Sequence, residues 1–515
     1  MRRRFHPKGY IMKHRHLFGA SFLAISLSAP AAFALTPDEV WANWQAMSAT
    51  SGATITAAST VTNGPTLEVS GITVDFKAPM DEGGYKATVD KMTFTDRGDG
   101  TVEVKASDSV PLVLTIVPEP GKAPVEVGMT ISQPDMSIIA SGTAAETAYD
   151  FSAPTFAFEV TSLKVPDEPT PSDFKAKGTG TNLTGKYVVA TADGKTSVTS
   201  AATMAGLSYE ISGTDPEGAG NVAITGSVAD LKADSTTVML GSEAMQDISA
   251  ALRAGFMVKS AVSTGKIDLN LSGSDPQGPV NVKAGFAGAN FNIQLDKDRV
   301  DYGFGLTGGA IDASVPDLPV PVKAGWGETS LRLALPIAQT ADPQDYTATV
   351  KLVDVTVDEA IWSMFDPGAA LKHDPVTLIL DLAGGMAWTV DILEPGALES
   401  SNMPAQLYSL DLKQVLAKAV GTEIAATGGL TFDNSDLFTF GGIPAPTGKI
   451  TVTMKGINAL IDALVSMGLV PEDQVMGARM MLAMFAKPGA GPDELISEIE
   501  FKDKALLVNG QPMPM

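Results

Sequence analysis

Cysteine is absent from this 515-residue chain, and histidine occurs only four times. The first absence rules out disulfide staples, thiolate metal sites and thiol nucleophiles. The second tightens once position is considered. His6, His14 and His16 come early, in what reads as an export signal: basic Lys13 and Arg15, an apolar run over residues 17–27, and the small-x-small sequence Ala32-Phe33-Ala34. Met12 would open a shorter signal of more conventional form, and Arg2-Arg3-Arg4-Phe5 lies too far from the apolar run to favour twin-arginine over ordinary export. Cleavage after Ala34 leaves His373 as the one imidazole. Without a histidine pair or a thiol, most familiar catalytic and metal centres lack their parts.

Basic charge is also scarce. Lys plus Arg number 36 against 59 Asp plus Glu, a formal charge of −23, and Arg2, Arg3, Arg4, Lys8, Lys13 and Arg15 belong to the presequence. Nucleic acid and anionic headgroups are repelled by such a surface. No run of 18 apolar residues follows Ala34, so no integral membrane span is expected after cleavage. No lipobox cysteine is present, which excludes a lipid anchor. Aromatic residues are 6% of the chain, too few for the paired girdles of an outer-membrane barrel or the stacking platforms of a sugar site. These absences together imply an acidic, soluble periplasmic protein.

What is present is mostly two-residue alternation. Leu67 and Val69 alternate with polar neighbours, Gly71 shifts the phase, and Ile72, Val74 and Phe76 continue. A glycine at a phase slip implies a bulge or tight turn. Val89, Met92 and Phe94 behave alike, and Arg97-Gly98-Asp99-Gly100 turns into Val102, Val104 and Ala106. The run Ser212-Gly213-Thr214-Asp215-Pro216 recurs as Ser272-Gly273-Ser274-Asp275-Pro276, which reads as a repeated hairpin in a meander at a 60-residue offset. Helices punctuate the strands. Thr36, Pro37 and Glu39 form a capping box ahead of Val40, Trp41, Trp44 and Met47. Further helices are expected over 243–254 (capped by Ser242), 358–365, 412–420 (capped by Asp411), 458–467 and 471–486, the last two as a hairpin across Gly468. The fold class is therefore mainly β: elongated, curved antiparallel sheets of meander hairpins, a few short amphipathic helices and a C-terminal helical hairpin. Proline-rich joins at 164–172 and 315–322 divide the chain into a signal peptide (1–34), a helix and β module (35–165), a β-meander (166–320) and a mixed β/α module (321–515).

Candidate chemistry is sparse. His373 has no nucleophile motif such as Gly-x-Ser-x-Gly to serve. Asp96 with Asp99 and Glu103, Asp296 with Asp298 and Asp301, and Asp433 with Asp436 sit at expected hairpin turns, where aspartate bonds its own backbone, and none has calcium-loop spacing. No catalytic, cofactor or metal residues are assigned. Met476, Met480 and Met484 recur at i, i+4 and i+8, with Met481 and Phe485 beside them. Thioethers can hold copper(I), but more often they line a core or an adaptable apolar groove. These five residues are the candidate groove.

Trp362-Ser363-Met364-Phe365-Asp366-Pro367 followed by His373-Asp374-Pro375 resembles the signature of an alphaproteobacterial family labelled domain of unknown function 2125. The stretch 427–456, with Gly428-Gly429-Leu430-Thr431-Phe432-Asp433-Asn434, and the tail from Met467 to Asn509-Gly510-Gln511 are similar to the same family. The resemblance implies an exported β-rich protein and no agreed active site. More loosely, the closing hairpin resembles AsmA-like and YdgA-like envelope proteins, which implies envelope maintenance and lipid handling. The expected function is thus non-enzymatic: binding or shuttling lipid-like ligands or supporting the envelope, with lipid or envelope proteins as partners, no nucleic acid and no cofactor. The alternatives are a scaffold with no small ligand, or a carboxylate-dependent hydrolase. An open apolar trough would favour the carrier, and a filled interior the scaffold.

Overall fold

The computed structural model describes residues 35–514, except residue 51, segments 79–82, 119–121, 167–172, 215–219 and 242–243, and residue 402. The expected export signal, the turn of the first repeat copy, Ser242 and most of the first proline-rich join lie outside the described residues. Among those described, 28 strands form one sheet in which every pairing is antiparallel. This is the β-rich meander the alternation implies. Long strands are often shared by two short ones. Asn221–Met239 pairs with Ile267–Asp275 through its first half and Met257–Thr264 through its second. Arg299–Ser314 is shared in the same way by Gly288–Leu295 and Gly278–Phe286.

Among the described residues six α-helices accompany the sheet: α1 (Pro37–Thr50), α2 (Ile248–Ala254), α3 (Glu359–Phe365), α4 (Ala397–Ser400), α5 (Ile457–Ser466) and α6 (Glu472–Phe485). The α1 capping box is formed: Glu39 N–H donates to Thr36 Oγ1 at 3.3 Å, and Thr36 N–H donates back to Glu39 Oε2 at 2.9 Å. Its buried Val40 and Trp41 join Leu67, Val69, Phe94, Val104 and Tyr149 in the main core. The helix expected over 243–254 is shorter. Asp247 caps α2 by accepting from Ser249 and Ala250 N–H, Gly255 ends it at φ 101°, and Ile248 is exposed while Ala251 and Leu252 are buried.

One expected helix is wrong. Residues 412–419 belong to the strand Ser409–Ala419. Its register shifts between Leu412 and Val415, so that both meet apolar partners on the same side. A β-bulge thus imitates the i, i+3 spacing of a helix turn. Val420 (φ 48°) and Gly421 (φ 79°) then make a hairpin turn, where the sequence reading placed a helix stop.

The phase slip at Gly71 is borne out and is not isolated. Gly71, Asn182, Asp230, Gly308 and Asp354 all interrupt long strands at φ between 50° and 62°. Across each of these five the register with at least one neighbouring strand is unchanged, but at Asp354 the pairing with Val376–Trp388 shifts by one residue. At the other four the left-handed residue rotates the chain without adding one. The apolar positions shift parity to match, from Phe304 and Leu306 to Ile311 and Ala313, for example. The same face therefore stays apolar along the strand.

Candidate functional site

Directly opposed residues of an antiparallel pair lie on one face of the sheet. Following the register from strand to strand therefore traces a single row of side chains. The row starts at Leu67 and passes through Phe94, Val104, Ile138 and Phe151. It crosses small residues at Gly185, Ala202 and Ala233, then regains bulk at Val262 and Phe291. Phe304, Leu331, Val350 and Leu380 follow, and Val415, Ala426, Val452 and Ser497 complete it. Ser497 is the one polar side chain. With strands roughly 4.8 Å apart, the ladder runs about 80 Å along the sheet. Mostly apolar rows flank it: Ile293, Tyr302, Leu333 and Leu382 on one side, Leu306, Leu352, Leu378, Ile424 and Met454 on the other, the second interrupted by Thr329.

The opposite face is polar. Asp150, Lys186, Asp234, Asn292, Arg332, Thr349 and Asp381 lie on one register row there. Ion pairs such as Lys186–Asp150 (3.5 Å) and Arg332–Asp301 (2.9 Å) cross its strands. A shallow depression of about 610 Å³ on this face has Gly285, Ala310 and Gly325 among its lining, with Lys283, Asp312 and Lys323 beside them.

Helices cover both ends of the apolar ladder. At the start, Trp41 and Trp44 meet Phe94 edge-on with centroids 5.8 and 5.6 Å away, and Tyr149 stacks on Tyr187 at 4.6 Å. At the far end Ser497 is buried near α6. Between these caps the rungs lie open. Phe304, Leu331, Val350 and Leu380 are 36%, 44%, 40% and 38% exposed, and Tyr302, Leu333, Leu378 and Ile424 beside them are exposed as well. Single exposed apolar residues are ordinary, but a contiguous set on one face marks a surface that meets something apolar.

The candidate methionines divide. Met481 and Phe485 line a cavity of about 520 Å³ with Val452, Met454, Ala478, Leu482 and Ile499, between α6 and the end of the ladder. Met476, Met480 and Met484 do not line it; they are as exposed as Met481, which lines it although it is 61% exposed. Sequence reading found this cavity's helix wall and missed its sheet wall. It also missed Phe304, Leu331, Val350 and Leu380, whose alternation is visible but whose partners are not.

The signature residues build a knot at the end of α3. Trp362 stacks on His373 at 4.3 Å, nearly parallel. His373 Nδ1 lies 2.9 Å from Glu359, and Nε2 lies 3.4 Å from Asp366. The Asp366 carboxylate is 1% exposed and accepts from Ala370 and Leu371 N–H. Those two backbone donors, with His373 behind them, hold its pKa below the ordinary 3.8. Asp374 accepts from Gly421 N–H at 3.0 Å. Phe365 contributes nothing to the knot and is 71% exposed. Asp99, Asp296 and Asp433 form turns as expected, whereas Glu103 and Asp301 lie within strands. Asp99 accepts from Thr101, Asp296 from Asp298 and Arg299 N–H, and Asp433 from Ser435.

Residues 303–514 match the family DUF2125, described as an uncharacterized protein conserved in bacteria. The chain is similar to that family over the span that holds the open rungs Phe304 to Leu380, the α3 knot and the α5–α6 hairpin. Neither a curated protein nor a solved structure matches the chain. Among the described residues, no helix is long and apolar enough to cross a membrane.

Proposed function

We propose that this protein is an exported, non-enzymatic periplasmic carrier that binds lipid-like molecules along the apolar ladder. One observation carries the reading: the register-linked rungs Phe304, Leu331, Val350 and Leu380 stay open to solvent while helices cover both ends of their row. Each methylene moved from water onto such a surface gains up to about 0.8 kcal/mol. A single acyl chain thus supplies useful affinity without any charged contact. The export signal supports placement where lipids must cross water. His373 stacks on Trp362 and faces two carboxylates, an arrangement that suits a structural part better than a catalytic base.

The test is purification from a Gram-negative host, organic extraction and mass spectrometry, followed by titration of the delipidated protein with a fluorescent fatty acid. Co-purifying lipid and saturable binding are expected. Absence of both would overturn the proposal. A scaffold reading has its own observation. Phe438 is 96% exposed on a loop whose Asp436 accepts from Phe438 and Thr439 N–H and from Lys504. That loop fits a partner surface, and a stable protein complex without lipid would favour it.

A further inference from the structure

The cavity beneath α6 differs from the open rungs in having a helix wall as well as a sheet wall; it stays open to solvent, with Met481 61% and Phe485 40% exposed, and the one hydroxyl of its lining is spent. Ser497 Oγ, the one hydroxyl lining it, already donates to the Phe485 carbonyl at 2.6 Å, and Asn509 Nδ2 donates to the same carbonyl at 2.9 Å. The α5–α6 hairpin is pinned at both feet. Those two bonds hold the end of α6, and Asp493 accepts from Asn458 N–H, Asn458 Nδ2 and Ala459 N–H at the start of α5. Between the feet, Arg479 on α6 pairs with Asp462 on α5 at 2.6 Å. The hairpin therefore spans the last rungs as a strap.

We infer that this cavity receives the methyl end of an unbranched hydrocarbon chain whose remaining length lies along the open rungs. The inference rests on the carrier reading above and deepens it. Three features identify the occupant. The ladder residue Val452 is also a wall of the cavity, so the open rungs and the space under α6 are continuous. An extended peptide entering it would leave N–H and C=O groups without partners, whereas hydrocarbon has none to satisfy. About one turn of an incoming helix would already fill 520 Å³, given a helix diameter of roughly 10–12 Å. The polar headgroup stays outside, nearer the open rungs.

Because the chain has no cysteine, one introduced thiol is a unique attachment point. Met481→Cys and, separately, Leu331→Cys are labelled with bimane. Each is titrated with stearic acid carrying a nitroxide near its methyl end, and with the isomer carrying it near the carboxylate. The label at 481 is expected to lose most of its fluorescence to the methyl-end isomer and much less to the other. Quenching at 331 but not at 481 overturns the cavity inference and leaves the carrier reading intact. Quenching at neither position overturns both. Equal or stronger quenching at 481 by the carboxylate-end isomer also overturns the inference. Ala478→Trp, which fills the cavity, should weaken stearate binding about tenfold (about 1.4 kcal/mol). Met476→Trp, on the same helix but outside the lining of the cavity, should leave it unchanged, and equal effects of the two would count against the cavity.

Discussion

Single residues of this chain act mainly by what they deny to water or to a neighbour. The Asp366 carboxylate, buried at the end of α3 and bonded by Ala370 and Leu371 N–H, has its pKa lowered from 3.8. A depressed carboxylate stabilises the fold above its unfolded pKa, and that contribution disappears as pH falls through the lower folded value. The urea midpoint should therefore decline below about pH 4, and Asp366→Asn should lower it at neutral pH while flattening the acid decline. An unchanged profile would remove Asp366 from the knot. Gly309 supplies a second case. The Trp326 ring, opposite it across the strands, occupies the space a Cβ would need. Gly309→Val should cost about 1–3 kcal/mol by overpacking, read from the shift in urea midpoint. Legibility at this scale was uneven. The Thr36–Glu39 capping box could be read because both partners are three residues apart. The Gly309–Trp326 pair could not, since its members meet only through the register of two long strands.

Within elements, the recurring device is the left-handed residue inside a long strand. Gly308 at φ 58° turns the strand so that Phe304 and Ile311, of opposite parity, share the apolar face. A one-residue slip would otherwise send every later side chain to the other side. Gly308→Ala should cost about 1–2 kcal/mol from the left-handed backbone alone, and the Ala287 methyl group lies where the new Cβ would go. Urea unfolding monitored by circular dichroism checks this, and a neutral effect would mean the kink relaxes freely. Gly71 was legible as a phase slip because the apolar positions change parity across it, from Leu67 and Val69 to Ile72 and Val74. Asp230 and Asp354 were not, because aspartate reads as a turn residue and its left-handed tolerance leaves no separate mark. The bulge near Leu412 misled in the opposite direction: Leu412 and Val415 carried helical spacing, and nothing nearby in the chain showed the neighbouring strand that absorbs the extra residue.

Across the whole molecule, the sheet separates an apolar face from a charged one, and adjacent residues of one strand sample both. Val350 is an open rung of the ladder, while Lys351 points the other way and pairs with Glu328 at 3.5 Å. Alternation alone showed that two such faces exist. Which rungs align into one row depends on pairings between distant segments, so the ladder was not readable from the chain. This neighbouring pair permits a sharp test of the carrier reading, because the same new charge can be placed on either side of one strand. Both positions have solvent access, so Val350→Asp and Lys351→Asp should each change folding stability only modestly, within about 1 kcal/mol. Their effects on binding should diverge. A carboxylate at 350 must either lose water or hold hydrocarbon away from the rungs, at about 2 kcal/mol or more, roughly thirtyfold in affinity for a fluorescent fatty acid. The same carboxylate at 351 adds to a face already lined with ions and should leave affinity within about twofold, a difference of about 0.4 kcal/mol. If both variants bind as the parent does, the ligand does not use the ladder. If both lose binding equally, the effect is one of net charge on an already acidic protein, and raising the salt concentration should then restore it.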